Sequence, residues 1–169
     1  MQARRIETSR AARELAEQRL DAERKRFDVG MSTSFLVIQA QRDLAQAKTN
    51  ELAATLAYDV ALVNFEAVQQ VLEGRWHNAC RTWDDLLVEH PRDALALQWA
   101  QLWDFYRGDA AGLRQRPARV LPEWDESDPL HPYVLALWAF GLEECNLYPQ
   151  AEEAGRRALA ANPRVPWAV

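Results

Sequence analysis

Over its first 73 residues the chain contains one glycine, Gly30, and no proline. No other feature narrows the possible folds as much. Glycine and proline are the usual interrupters of helices. A stretch that nearly lacks them, and is rich in Ala, Arg, Glu, Gln and Leu, predicts helix with a single break. Gly30 is where the chain can take positive φ at little cost, as the residue just past a helix does. Ser32, Thr33 or Ser34 can then accept from an orphan N–H and start the next helix. The expectation is an antiparallel hairpin with its tip near residues 29–34 and arms about 40 Å long or more.

Apolar and small residues recur at seven-residue spacing on both arms. Ile6, Leu20 and Phe27 form one comb, with Arg13 where an apolar residue is missing. Ala40, Ala47, Ala54 and Ala61 form another, accompanied by Ile38, Ala45 and Leu52. Heptad spacing marks a coiled-coil seam, and alanine along it lets two backbones approach closely. Arg10/Glu14, Arg13/Glu17 and Asp21/Lys25 read as i,i+4 pairs on the outer surface. With no Pro or Gly between Ala61 and Gly74, the second arm is expected to run on to about Glu73. Its seam would pass through Leu62, Phe65, Val68 and Leu72.

Composition then changes. Residues 1–70 carry 10 basic and 10 acidic side chains; residues 71–169 carry 10 and 15, with all eight prolines and all seven tryptophans. The net charge of −5 therefore belongs to the second part and argues against nucleic acid, which favours a basic stripe. So clean a division predicts two segments of different origin, a chimera or fragment fusion, with domains 1–70 and 71–169. No apolar run is long enough to span a membrane. The N-terminus has basic residues without an apolar segment behind them, so a cytoplasmic location is expected for the chain as written.

The stretch ERKRFDVGMSTSFLVIQAQRDLAQAKTNELAATLAYDVALVNFEAVQ resembles the TolC-like outer-membrane efflux protein family, over about residues 5–69. It looks like the second of that family's two long periplasmic hairpins, which sit in the periplasm and outer membrane. The resemblance implies that the turn is a docking tip meeting the hairpin of a membrane-fusion adaptor. Phe27, Val29, Gly30, Met31 and Ser32 would make the contact. Family members often place carboxylates one turn beyond the tip; this chain has Leu36 and Gln39 there.

The second part repeats itself. Trp76 and Tyr148, Ala79 and Ala151, Leu87 and Leu159, Pro91 and Pro163, and Arg92 and Arg164 are each 72 positions apart, and Gly108 follows Gly74 by 34. GRWHNACRTWDDLLVEHPRD and NLYPQAEEAGRRALAANPR both have an aromatic, a small residue at a helix crossover, apolar positions and a terminating proline. They read as second helices of tetratricopeptide units. Residues 71–169 are similar to the tetratricopeptide repeat protein 38 family, which implies a short helical solenoid with no settled chemistry. The fold expected overall is all-α: a long coiled-coil-like hairpin continuing into that solenoid. VPWAV reads as the opening of another helix, leaving the last apolar face of the solenoid uncovered.

Few residues suggest chemistry. His77 and Cys80 are at i, i+3, but no second pair follows at zinc-site spacing, so packing is the simpler reading. Cys80 and Cys145 read as reduced, buried thiols. Glu143-Glu144 and Glu152-Glu153 read as solvated faces, because adjacent helical residues do not face each other. His131 reads as a loop or cap residue, and Asp128 as the cap of the helix after Pro129. Trp99, Trp103 and Trp138 could form a stacking groove, but at helical spacing they read as core. No catalytic, cofactor or metal set is expected, and the chain is expected to be a non-enzymatic module that contacts protein partners, with homo-oligomerisation open. The efflux resemblance gives the alternative expectation, a fragment of a transport component.

Overall fold

A computed structural model describes residues 2–167, and every regular element among them is helical. In order, these are α1 (Gln2–Asp28), α2 (Ser34–Leu72), α3 (Trp76–Glu89), α4 (Ala94–Arg107), α5 (Ala110–Val120), a 3-10 turn (Leu121–Glu123), α6 (His131–Glu144) and α7 (Tyr148–Ala161). None of these helices is long and apolar enough to cross a membrane. The chain divides into two compact units, Met1–Leu62 and Val63–Val169, and the boundary falls inside α2. Helix α2 is unbroken between Asn64 and Leu72, as the absence of breakers predicts.

In the first unit, α1 and α2 form an antiparallel pair. Cross-helix contacts run in opposite directions along the two helices: Arg13 Nε donates to Glu51 at 2.6 Å, and the later Arg19 Nη1 to the earlier Asp43 at 3.2 Å. Positions withdrawn from solvent follow alternating spacings of three and four. On α1 they are Ile6, Ser9, Arg13, Ala16, Leu20 and Glu23; on α2, Val37, Ala40, Leu44, Ala47, Glu51 and Ala54. The comb Ala40, Ala47, Ala54 is thus on the seam, whereas Ala61 is exposed. Ile38, Ala45 and Leu52 face solvent, with Leu52 61% exposed. Their places beside the alanines are taken by Val37, Leu44 and Glu51, because residues separated by seven share a face whichever side that face is on.

Arg13 is a seam residue rather than an outer one. It bonds Glu51 across the hairpin and Glu17 at 2.8 Å on its own helix. These bonds, to Glu51 first, raise its pKa. Arg10 turns to Glu51 instead of Glu14, and Lys25 pairs with Asp21 at 2.6 Å as its spacing predicts. The seam therefore holds few large apolar groups. Leu20, Ala40 and Ala54 are its buried apolar residues among those described.

The second unit is built differently. Helices α3 and α7 begin and end 72 residues apart, so the sequence repeat is also a repeat of elements. At the end of α2 the buried side is Asn64, Ala67 and Gln70; Leu62, Phe65 and Leu72 are exposed, contrary to the seam expected from their spacing. A polar register explains the choice of face. Trp83 Nε1 donates to Asn64 Oδ1 at 3.1 Å, Asn64 Nδ2 donates to Asp93, and Thr82 Oγ1 donates to Gln70 at 3.0 Å. Trp83, Leu87, Leu97, Leu113, Val134, Leu135 and Leu137 are almost completely buried. Helix α6 is buried on most of its circumference and meets α5 at Gly141, where an added Cβ would overlap the Leu113 carbonyl. A side chain there would push two backbones apart.

Candidate functional site

Two surfaces have the makings of a site, one in each unit. The first is the hairpin turn. Gly30, at φ +73°, donates to the Phe27 carbonyl at 2.9 Å, and Met31 donates to that of Arg26 at 2.8 Å. This pair of bonds is the Schellman ending of a helix. Among the three cap candidates it is Thr33 that starts α2: its carbonyl accepts from Leu36 at 3.1 Å and from Val37 at 3.3 Å. Ser32 donates to Glu23 and is half-buried. Of the five tip residues, Ser32 thus ties the turn to α1, while Phe27, Val29, Gly30 and Met31 are exposed, Met31 to 80%. Phe35 and Leu36 add to the exposed apolar surface, and Gln39 is exposed beside them.

The same pair of bonds ends α2 at Gly74, α4 at Gly108 and α6 at Asn146, where asparagine takes the left-handed conformation at φ 59°. Turn chemistry common to both units thus makes an ordinary helix ending at Gly30. What sets the tip apart is the cluster of exposed large side chains around it.

The second surface is a run of rings on the second unit. Trp76 lies 5.5 Å from Trp103, Trp103 lies 5.5 Å from Tyr106, and Tyr106 lies 6.0 Å from Phe105, between centroids. Phe105 then meets Phe140 at 5.7 Å, and Phe140 meets Trp167 at 5.4 Å. These separations suit tilted aromatic pairs. Trp76, Phe105, Tyr106 and Trp167 remain exposed. At the Trp167 end the run opens into a groove of about 500 Å³ between α6 and α7, floored by Ala139, Ala151 and Leu159 and edged by Tyr148, Glu143 and Arg156. Sequence reading missed this surface, because its rings come from α3, α4, α6 and the segment after α7. The fourfold recurrence of aromatics in WAQLWDFY was its one visible trace. Of the tryptophans singled out as core, Trp99 stacks on buried Trp83 at 6.4 Å and Trp138 packs on the α6–α7 core, whereas Trp103 belongs to the run.

The second unit also holds a charged cluster. Arg116 on α5 donates to Asp84 on α3 through two bonds of 3.0 Å and also to Asp104 on α4; Arg119 adds a bond to Asp84 at 2.5 Å. Burial opposes the charge of Arg116, but the bonds and charges of both aspartates outweigh it, and its pKa is raised. For Asp84 burial is likewise outweighed, by Arg116 and Arg119, and its pKa is lowered. Asp104 is fully enclosed, so burial dominates and raises its pKa despite Arg116. The two carboxylates therefore shift in opposite directions. At Asp104 only one oxygen accepts a hydrogen bond; the other is met by Arg107 Nη1 at 3.7 Å, too far for one. These groups are consumed by one another, a structural clasp of three helices.

The remaining candidates do not converge. His77 is exposed while Cys80 is buried, its thiol pushed up to about 11 by burial and then by the Asp104 charge. Cys145 is half-buried, less enclosed than expected, with its sulfur 3.1 Å from the Ala110 carbonyl. Among the described residues no three His, Cys, Asp or Glu side chains are grouped to hold a metal. Glu143, Glu144, Glu152 and Glu153 are all exposed. His131 is buried at the start of α6. Asp128 does not cap that helix, whose boundary residue is Leu130. Instead its carboxylate accepts from the Leu130 N–H at 2.9 Å and from Arg92, forming a turn two residues long.

No protein-family model matches the chain, and no solved structure matches it significantly.

Proposed function

We propose that this chain is a non-enzymatic, helical protein-interaction module with two docking surfaces, the hairpin tip and the aromatic face. The observation that carries the reading is the exposure of Phe27, Val29, Met31 and Phe35 on a turn tied down by backbone bonds and by Ser32. Large apolar side chains clustered in water favour a partner that removes them from it. A turn already ordered loses little further entropy when it docks. In the reading drawn from the sequence resemblance, a TolC-type hairpin is joined to tetratricopeptide repeats.

The narrower alternative is a fragment of an outer-membrane efflux component whose tip docks a periplasmic adaptor. The Val29-Gly30 turn supports it. Its test is binding of the purified chain to the helical hairpin of a membrane-fusion adaptor. Binding that is lost in a Val29→Asp, Met31→Asp double variant with unchanged helicity upholds the adaptor reading. Absence of binding removes that reading. Homo-oligomerisation belongs to the same proposal, since Ile38, Leu52 and Leu56 leave a second apolar stripe on α2 exposed. Light scattering on the eluting chain tests it: a trimer supports channel-like assembly and a monomer removes it.

A further inference from the structure

Helix α2 carries a second heptad row besides the one that meets α1. Arg42, Ala45, Thr49, Leu52, Leu56 and Asp59 follow one another at alternating steps of three and four, and all six are exposed. The row belongs wholly to the first unit, and the same spacing extends it back to exposed Ile38. Such steps make a coiled-coil seam, but this one faces water. Neighbouring Asp43 and Lys48 pair with Arg19 and Glu17 of α1, whereas Arg42 and Asp59 have no ion pair among the described residues. Reversed end to end, the row is its own complement. About a point midway between Asn50 and Glu51, Arg42 and Asp59 are equidistant, as are Ala45 and Leu56, and Thr49 and Leu52.

We propose that this row docks a second copy of the chain as an antiparallel dimer, in which Arg42 of each copy pairs with Asp59 of the other. The inference rests on the interaction-module reading and gives its self-association a direction and a register. Two copies of α2 related by a two-fold axis at that midpoint run antiparallel, and equidistant residues meet at the same height. Cation then faces anion at both ends of the contact. Between them small faces large, Ala45 against Leu56 and Thr49 against Leu52, which is how facing seams interdigitate. The two ion pairs stand about 25 Å apart, the rise of 17 helical residues. A parallel pair in register would instead set Arg42 against Arg42 and Asp59 against Asp59, which costs affinity. An unrelated apolar partner would account for the exposed leucines but not for opposite charges placed symmetrically about them. Burial of Leu52 and Leu56 supplies the affinity, and the charges fix the direction.

The test is sedimentation equilibrium of the whole chain from about 1 μM to about 1 mM. The expected result is a monomer–dimer equilibrium. Leu52→Asp weakens the dimer at least about a hundredfold, because by symmetry the change enters the contact twice. Arg42→Asp sets carboxylate against carboxylate at both ends and weakens it by about tenfold. Adding Asp59→Arg to Arg42→Asp restores the original affinity to within about threefold, since each end again joins opposite charges. All three positions are exposed, so circular dichroism of every variant stays unchanged. A monomer throughout, a trimer, or a dimer indifferent to Leu52→Asp overturns the inference. A dimer that Leu52→Asp breaks, but that Arg42→Asp and the double variant form equally well, overturns the antiparallel register. Adaptor binding at the hairpin tip is measured on the Leu52→Asp chain, so failure of the dimer and failure of the broader reading are seen apart.

Discussion

In both units every regular element described is helical, yet they are held together by different means. In Met1–Leu62 a narrow seam of alanines and one buried leucine is supplemented by ion pairs across the hairpin. In Val63–Val169 tryptophan, leucine and valine side chains are almost wholly enclosed, and a charged cluster is buried with them. Two helices in contact can each bury only one stripe, whereas successive helix pairs cover one another on several sides. Helix propensity is therefore sufficient to explain the elements of the first unit. The second draws its stability from tertiary contacts.

The sharpest way to break this contrast is Arg116→Met. It leaves Asp104 buried with only Arg107, 3.7 Å away, as counter-charge, and is expected to cost the second unit about 3 kcal/mol. Hydrogen exchange should show α3, α4 and α5 losing protection while α1 is unaffected; equal loss in α1 would refute separate cohesion. In the hairpin the corresponding change is Leu20→Ala, with an expected cost of about 2 kcal/mol because the site is shallow, read by urea denaturation. A cost as large as that of Arg116→Met would mean that the seam is a true core.

Gly30→Ala forces a Cβ into the left-handed region and should cost about 1 kcal/mol. The space around Gly30 is open, so the effect is backbone strain alone, and Gly30→Asn should recover most of it. An acid titration sharpens the role of the buried cluster. Since the folded pKa of Asp84 is lowered, its contribution is present above the ordinary aspartate range and lost as pH falls through the folded value. Asp104, with a raised value, has the opposite sign: its contribution is present below the ordinary range and lost as pH rises through the folded value. Asp84→Asn should therefore flatten the acid-side loss, by less than about 1 kcal/mol because the side chain is partly solvated. The smallest effect is expected of Leu52→Ser, within about 0.5 kcal/mol for the monomer; a larger change, dependent on protein concentration, would reveal self-association through that stripe.

The sequence by itself determined the helices, because Gly and Pro act locally through backbone dihedrals and a missing donor. It located the turn at Gly30, the continuity of α2 as far as Leu72, and the matching of α3 with α7. Thr33 as the cap was among its three candidates. Tertiary structure decided which side of a periodic helix is inside. Ala40, Ala47 and Ala54 recur with the same period as Ile38, Ala45 and Leu52, and only the partner arm distinguishes the two combs. Arg13 was a gap in a pattern until Glu51, 38 residues away, made it a clasp. The tip was legible because its side chains are neighbours in the chain. The aromatic face was not, because Trp76, Phe105, Phe140 and Trp167 become neighbours only when the helices pack, and no local period encodes that meeting.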